Sequence, residues 1–158
     1  MQMFCYQCQE ATKGVGCTVK GVCGKTGDVA NLQDTLLFVL KGISWFNEKL
    51  RSTGLNPAKA NKFVFDGLFS TITNANFDKN HFVERIKAAL EMRNELHQKC
   101  KEASVDLPEA LPDFAVWEGS TMEDFESKSE EVGVLRTENE DIRSLRELVT
   151  YGVKGLAA

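Results

Sequence analysis

The sequence contains no apolar run long enough to cross a membrane and no excess of basic residues. No segment approaches the ~18 consecutive apolar residues that a transmembrane helix needs. The N-terminus also lacks the basic region and apolar run of a signal peptide. The formal net charge is −4, whereas nucleic acids and anionic membranes select basic surfaces. We therefore expect a cytoplasmic protein that binds neither nucleic acid nor membrane.

Cysteine is scarce beyond the N-terminus, and histidine and proline are scarce throughout. Two histidines and three prolines occur in 158 residues, and both histidines lie far from the N-terminal cysteines. Four of the five cysteines fall within the first 23 residues, whereas a disulfide framework spreads its cysteines along the chain that it cross-links. In a reducing compartment, such a cluster is typical of a local metal site. The four candidate ligands are Cys5, Cys8, Cys17 and Cys23.

The spacing of these four cysteines is C-x2-C-x8-C-x5-C. Four thiolates suit either an iron–sulfur cluster or a zinc ion. Structural zinc sites more often use two similar C-x2-C turns or replace a cysteine with histidine, whereas uneven spacers can wrap the larger cubane cluster. The residue types thus favour an iron–sulfur cluster, either [4Fe–4S] or [2Fe–2S], and leave a zinc ion or disulfides as alternatives.

The rest of the sequence predicts helices and no strand, so we expect an all-α protein. Residues 1–28 are rich in glycine and form the predicted cluster-binding segment. Apolar residues at helical spacing then predict a three-helix bundle over residues 29–103. Its helices are expected to begin near Asp28 or Asn31, at residue 57 and near Asp78.

The C-terminal third is predicted to contain a connector and one further long helix. Residues 104–137 hold Pro108, Pro112 and Gly119 near their start and form the connector, which includes a short helix. Residues 138–158 form the first helix of an incomplete second bundle. The capping boxes predicted for these two helices are Ser120 with Glu123 and Thr137 with Glu140.

Two segments of the sequence resemble each other: residues 32–43 align with residues 145–156 and share a Lys-Gly pair followed by an aliphatic residue. Either two amphipathic helices agree by chance, or the second segment repeats the first and starts a second three-helix bundle. In the second case its apolar residues lack partners within the chain and pack on the first bundle or on another copy. These residues are Leu145, Leu148, Val149, Val153 and Leu156.

Motifs along the whole chain match one known family in order and spacing. They are Phe4-Cys5-Tyr6-Gln7-Cys8-Gln9-Glu10, Gly16-Cys17-Thr18-Val19-Lys20-Gly21-Val22-Cys23-Gly24-Lys25, and residues 30–34, 67–76 and 137–148. In these motifs the sequence resembles the hybrid cluster proteins, or prismane proteins, which are hydroxylamine reductases. The resemblance covers essentially the whole chain.

The resemblance implies that Cys5, Cys8, Cys17 and Cys23 hold a [4Fe–4S] cluster, as in the form found largely in anaerobes, because the form with [2Fe–2S] has longer spacers. In the family this cubane passes electrons to a second, hybrid Fe–S–O cluster. The parent reaction is the reduction of hydroxylamine to ammonia and water, or of nitric oxide. The family's helical N-terminal domain contains two three-helix bundles, which agrees with the interpretation of a second bundle.

The sequence also departs from the family. In the family, the residues that bind the hybrid cluster lie beyond the position at which this sequence ends. No cysteine follows Cys100 in this sequence. We therefore expect an N-terminal fragment that transfers electrons but has no catalytic residue of its own. Its expected partners are the C-terminal hybrid-cluster domains of the parent protein, a redox donor protein and, through the final helix, a second copy. A zinc-stabilised helical interaction module and an apo structural fragment are the alternative functions.

Overall fold

A computed structural model describes residues 3–158 of the chain, so the first two residues of the predicted segment 1–28 lie outside the described residues. The described part contains six α-helices, two short 3-10 turns and no strand, which confirms the all-α prediction. None of these helices combines the length and apolarity needed to cross a membrane. The helices are α1 (Gly27–Arg51), α2 (Ala58–Ile72), α3 (Lys79–Glu102), α4 (Asp113–Val116), α5 (Met122–Val132) and α6 (Glu140–Ala157).

The central element is α1, in which 15 of 25 residues are buried. A helix that is buried around most of its circumference packs on several neighbours, and α1 contacts α2, α3, α4 and α5. Each buried aliphatic or phenyl side chain contributes about 1.5–3 kcal/mol relative to an exposed one. The core extends past residue 103, because Phe125 of α5 is completely buried in it. The division of the chain at residues 28, 103 and 137 stays a prediction.

The capping box of α5 is displaced by one residue from its predicted position. Thr121, rather than Ser120, accepts a hydrogen bond from the backbone N–H of Asp124 at 3.1 Å. Asp124 Oδ2 in turn accepts from the backbone N–H groups of both Ser120 and Thr121 at 2.8 Å. The pairing of Ser120 with Glu123 was therefore a wrong prediction, because the shorter carboxylate of Asp124 reaches two unpaired donors at once.

The cap of α6 also differs from the prediction. Asn139 Oδ1 accepts a hydrogen bond from the backbone N–H of Ile142 at 3.0 Å, whereas Thr137 was the predicted cap. The hydroxyl of Thr137 is already bonded to Arg146, and its carbonyl accepts from Arg143 at 3.0 Å. These side chains from the first two turns of α6 hold Thr137 outside the helix.

Two features near helix ends were not predicted. The first helix begins at Gly27, with Thr26 in extended conformation before it, so neither Asp28 nor Asn31 is its cap. The connector contains α4, a single turn that is too short to give a periodic pattern. Arg93 of α3, which is completely buried, fixes the end of this turn by donating to the Trp117 carbonyl at 2.5 Å.

The last helix is oriented with its polar side toward the protein body. The side chain of Lys154 is buried, and Arg143, Glu147 and Thr150 are half-buried on the same side. The opposite side is apolar and 43–82% exposed, as the sequence predicted for most of its members. We call this side the outer face of α6; it consists of Ile142, Leu145, Leu148, Val149, Val153 and Leu156.

Candidate metal centre

Cys5 and Cys17 lie directly opposite each other in a short antiparallel bridge. The Cys5 N–H donates to the Cys17 carbonyl at 3.0 Å, and the Cys17 N–H donates to the Cys5 carbonyl at 2.8 Å. Residues paired in this way direct their side chains to the same face. Both side chains accordingly contact one small apolar cluster that also contains Met3 and Ala30. This cluster is separate from the main core.

Cys8 and Cys23 occupy turns on either side of this bridge. Cys8 is half-buried, and its carbonyl accepts from the Ala11 N–H at 3.1 Å. Cys23 is exposed in a turn that a hydrogen bond from the Gly24 N–H to the Gly21 carbonyl closes at 2.9 Å. A Cβ atom at Gly21 would lie 3.0 Å from Cys23 Sγ. The turn therefore depends on glycine at this position.

The four predicted ligands do not gather around a single point. All five cysteines are free thiols, so the disulfide alternative is absent from the structure. Within residues 3–158, no three histidine, cysteine, aspartate or glutamate side chains converge closely enough to hold one metal ion. The structure thus brings Cys5 and Cys17 together and leaves Cys8 and Cys23 on the adjoining turns.

The surroundings of Cys17 favour its thiolate form, and Cys5 accepts hydrogen bonds at its sulfur. A hydrogen bond from Thr12 Oγ1 at 3.5 Å, together with backbone N–H groups, holds the pKa of Cys17 below its ordinary value. Cys5 Sγ accepts from Gln7 Nε2 at 3.7 Å and from Lys25 Nζ at 3.9 Å. The thiolate is the form of cysteine that binds metal.

Cys100 is a different kind of cysteine. It is completely buried in the main core, its thiol donates to the Phe46 carbonyl at 3.7 Å, and burial raises the pKa of the thiol. It packs as a small apolar side chain, as the sequence predicted.

Side chains from the last helix hold the loop between Cys5 and Cys8. Tyr151 donates from its hydroxyl to the Gln7 carbonyl at 2.7 Å, and Lys154 Nζ donates to Gln7 Oε1 at 3.2 Å. The Tyr6 hydroxyl donates to Glu147 Oε2 at 2.9 Å. The two ends of the chain therefore meet at the candidate site.

Sequence reasoning did not identify Lys25 and Lys154, the two buried cations of this site. The sequence contains one indication that Lys154 has a special position. The alignment of the two similar segments pairs Lys154 with Lys41 and Glu147 with Asp34. These residues lie near one another across α1 and α6 and act electrostatically on each other. The similarity therefore reflects matching polar positions as well as matching apolar ones.

The residues present fit an anionic metal–sulfur group. Donors point at the sulfur atoms of Cys5 and Cys17, and two ammonium groups, Lys25 and Lys154, are buried beside the same loop. A buried cation is stable only beside compensating negative charge. A group of four thiolates supplies such charge.

Comparison with known proteins identifies the class of this chain. Residues 3–158 match the sequence model of the Prismane/CO dehydrogenase family, and the chain belongs to this family. It is similar to the hydroxylamine reductases of Thermoanaerobacter pseudethanolicus (59% identity over 158 residues) and Clostridium novyi (52% over 158 residues), covering 100% of this chain and 29% of each relative. The hydroxylamine reductase of Bacteroides thetaiotaomicron is 56% identical over 158 residues, 28% of its length. The chain thus spans less than a third of the length of these relatives.

Proposed function

We propose that this chain is the electron-transfer region of a hydroxylamine-reductase-type protein and that Cys5, Cys8, Cys17 and Cys23 hold one [4Fe–4S] cluster. The observation that carries the proposal is the Cys5–Cys17 bridge, whose sulfur atoms accept hydrogen bonds from Thr12, Gln7 and Lys25. It lies in the part of the chain that matches the family.

The uneven spacing C-x2-C-x8-C-x5-C favours a cluster over a zinc ion. A single ion requires four ligands around one point, whereas a cubane spreads its four thiolate contacts over more space. The bridge places Cys5 and Cys17 opposite each other, and the adjoining turns carry Cys8 and Cys23. When bound, the cluster would supply one-electron storage at this end of the molecule.

The residues around the cysteines have defined roles in this proposal. Thr12 and Gln7 donate to the sulfur atoms of Cys17 and Cys5, and hydrogen bonds of this kind influence the reduction potential. Phe4 and Tyr6 lie with ring centroids 5.8 Å apart next to Cys5 and would limit the access of water. None of the described side chains is proposed as catalytic.

In this proposal the parent reaction takes place outside this chain. Hydroxylamine accepts two electrons and two protons to give ammonia and water, and nitric oxide is the alternative substrate. The reaction belongs to a hybrid Fe–S–O cluster in the C-terminal domains, and a redox donor protein supplies the electrons. The cytoplasm is the proposed location.

Metal analysis tests the proposal. The 158-residue chain is purified without oxygen, iron and zinc are measured, and the dithionite-reduced protein is examined by EPR. We expect about four irons per chain and an S = 1/2 signal, both of which disappear in Cys23→Ser and remain in Cys100→Ser. One zinc and no signal would replace this function with the zinc-stabilised interaction module. Absence of metal from the anaerobic protein would contradict the cluster.

The outer face of α6 is the proposed contact with the rest of such a protein. Its apolar side chains follow the spacing of one helix face and are 43–82% exposed. Exposed patches of this kind mark interaction sites. The relatives are more than three times longer than the matched region, so we propose that helices from their remaining length pack here.

Co-expression tests this contact. The chain is produced together with the unmatched part of the Thermoanaerobacter pseudethanolicus hydroxylamine reductase, and co-purification is measured. Leu148→Glu, which places a charge in the outer face, should abolish co-purification. Leu55→Glu, which alters an exposed leucine outside α6, should leave it unchanged. A dimer of this chain that Leu148→Glu dissociates would instead identify a second copy as the partner.

A further inference from the structure

Two lysines from distant parts of the sequence are buried beside the Cys5–Cys8 loop. Lys25 is 1% exposed and Lys154 is 5% exposed. Lys25 Nζ lies 2.8 Å from Gln33 Oε1 and 3.9 Å from Cys5 Sγ. Lys154 reaches the same loop from α6 through Gln7. Both ammonium groups thus use neutral amide oxygens as their close partners.

Neither ammonium group has the usual carboxylate partner of a buried lysine. Among residues 3–158, no carboxylate oxygen lies within 4.0 Å of Lys25 Nζ or Lys154 Nζ. Lys128 shows the ordinary arrangement: it is 6% exposed and lies 3.1 Å from Asp113 and 2.5 Å from Glu131. Burial of an unpaired ammonium costs several kcal/mol.

The nearest acids compensate this charge only in part. Asp34 acts electrostatically on both lysines, but burial opposes the charged form of its carboxyl and raises its pKa. Glu147 accepts a hydrogen bond from Tyr6. Lys41, which is exposed, also acts electrostatically on Asp34. The positive charge of the two lysines buried beside the loop that carries Cys5 therefore has no carboxylate in direct contact.

We propose that Lys25 and Lys154 are positioning residues that raise the reduction potential of the group held by the four cysteines. This inference rests on the proposed function. Uptake of one electron adds one negative charge, and a buried cation stabilises that charge more strongly than an exposed cation does. Lys154 belongs to α6. A residue of the last helix would therefore influence the reduction potential of a group bound by the N-terminal cysteines.

A redox titration with EPR detection tests the inference. Dithionite supplies the electron, and the reduced fraction is measured against ambient potential for Lys25→Met and Lys154→Met. Each variant should lower the ratio of reduced to oxidised protein at a fixed potential about tenfold, a shift of about 59 mV to lower potential for a one-electron couple. Lys154→Arg, which keeps the charge, should titrate close to the original chain. Lys128→Met removes a buried lysine with its own carboxylates and should leave the potential unchanged.

The possible failures can be told apart by iron content. If the original chain binds no iron, the proposed function fails. If the methionine variants keep about four irons and the original potential, the charge effect is wrong and the proposed function stands. Loss of iron from both methionine variants would also overturn the inference, because the lysines would then assemble the site rather than set its potential. A shift in Lys154→Arg as large as that in Lys154→Met would assign the effect to hydrogen-bond geometry instead of charge.

Discussion

The hydroxyl of Tyr6 donates a hydrogen bond to Glu147 Oε2 at 2.9 Å across 141 residues of sequence. Burial, followed by the effect of Glu147, raises the pKa of the Tyr6 hydroxyl above its ordinary value, so it stays protonated and remains a donor. Together with the bond from Tyr151 to the Gln7 carbonyl, it attaches the cysteine-rich segment to α6.

Tyr6→Phe should therefore destabilise the chain without altering its helices. A hydrogen bond to a charged acceptor contributes about 1.5–3 kcal/mol to stability. Urea unfolding measures the decrease in the free energy of unfolding. Combining Tyr6→Phe with Glu147→Gln in a double-mutant cycle gives the interaction energy between the two side chains. Strictly additive effects of the two substitutions would show that the pair does not couple the two ends of the chain.

Asp34→Asn should change how stability depends on pH. Burial raises the pKa of Asp34 to about 7 in the folded chain, despite the nearby Lys154, Lys25 and Lys41 and with a smaller upward effect of Glu147; the unfolded value is about 3.9. The folded state therefore holds the proton more tightly, so this group lowers stability as the pH rises from about 4 to about 7.

In the Asp34→Asn variant, stability does not decrease in this way as the pH rises. The variant should therefore be more stable than the original chain at pH 8, by at most about 4 kcal/mol. The two proteins should converge toward pH 4. Urea unfolding of the metal-free chain at pH 4.5, 6 and 8 measures the difference between them. A difference that does not change with pH would contradict the raised pKa of Asp34.

The helices α1 and α3 could be predicted because their periodic apolar positions are also their buried positions. Leu32, Leu36 and Ile43 illustrate this in α1, where all three are completely buried. The single turn α4 could not be predicted, since tertiary contacts define it, above all the bond from Arg93 to the Trp117 carbonyl.

The candidate ligands could be predicted from spacing, but their surroundings could not. The four cysteines lie close together in the sequence, and a C-x2-C turn is a local pattern. They could therefore be identified from their spacing alone. Lys154 meets Gln7 across 147 residues, and no local pattern encodes such a contact. The caps of α5 and α6 were displaced for a related reason: several neighbouring residues can serve as caps, and long-range or competing hydrogen bonds select among them.

Cys17→Ser should remove the proposed cluster and leave the helices intact. Cys17 packs in the small cluster with Met3 and Ala30, separate from the main core. We expect loss of iron with an unchanged far-UV circular dichroism spectrum.

Cys100→Ser gives the opposite pattern. It places a hydroxyl in the main core, where an imperfectly satisfied polar group costs about 1–3 kcal/mol, so the urea midpoint should fall while iron is retained. A large loss of helical signal in Cys17→Ser would show that the cysteine-rich segment and the helices do not fold separately.

Gly42 of α1 and Gly155 of α6 occupy matching positions of the two similar segments but have different surroundings. A Cβ atom at Gly42 would overlap the Phe114 carbonyl and lie 2.9 Å from Arg93 Cδ, whereas a Cβ atom at Gly155 would meet nothing within 4 Å apart from its chain neighbours and the adjacent backbone of its own helix. Gly42→Ala should therefore force α1 and α4 apart and cost about 1–3 kcal/mol, although alanine has the higher helix propensity. Gly155→Ala should be neutral or stabilise α6 by up to about 1 kcal/mol. Urea unfolding of both variants measures the contrast, and equal effects would mean that α4 does not approach α1 as closely as the structure has it.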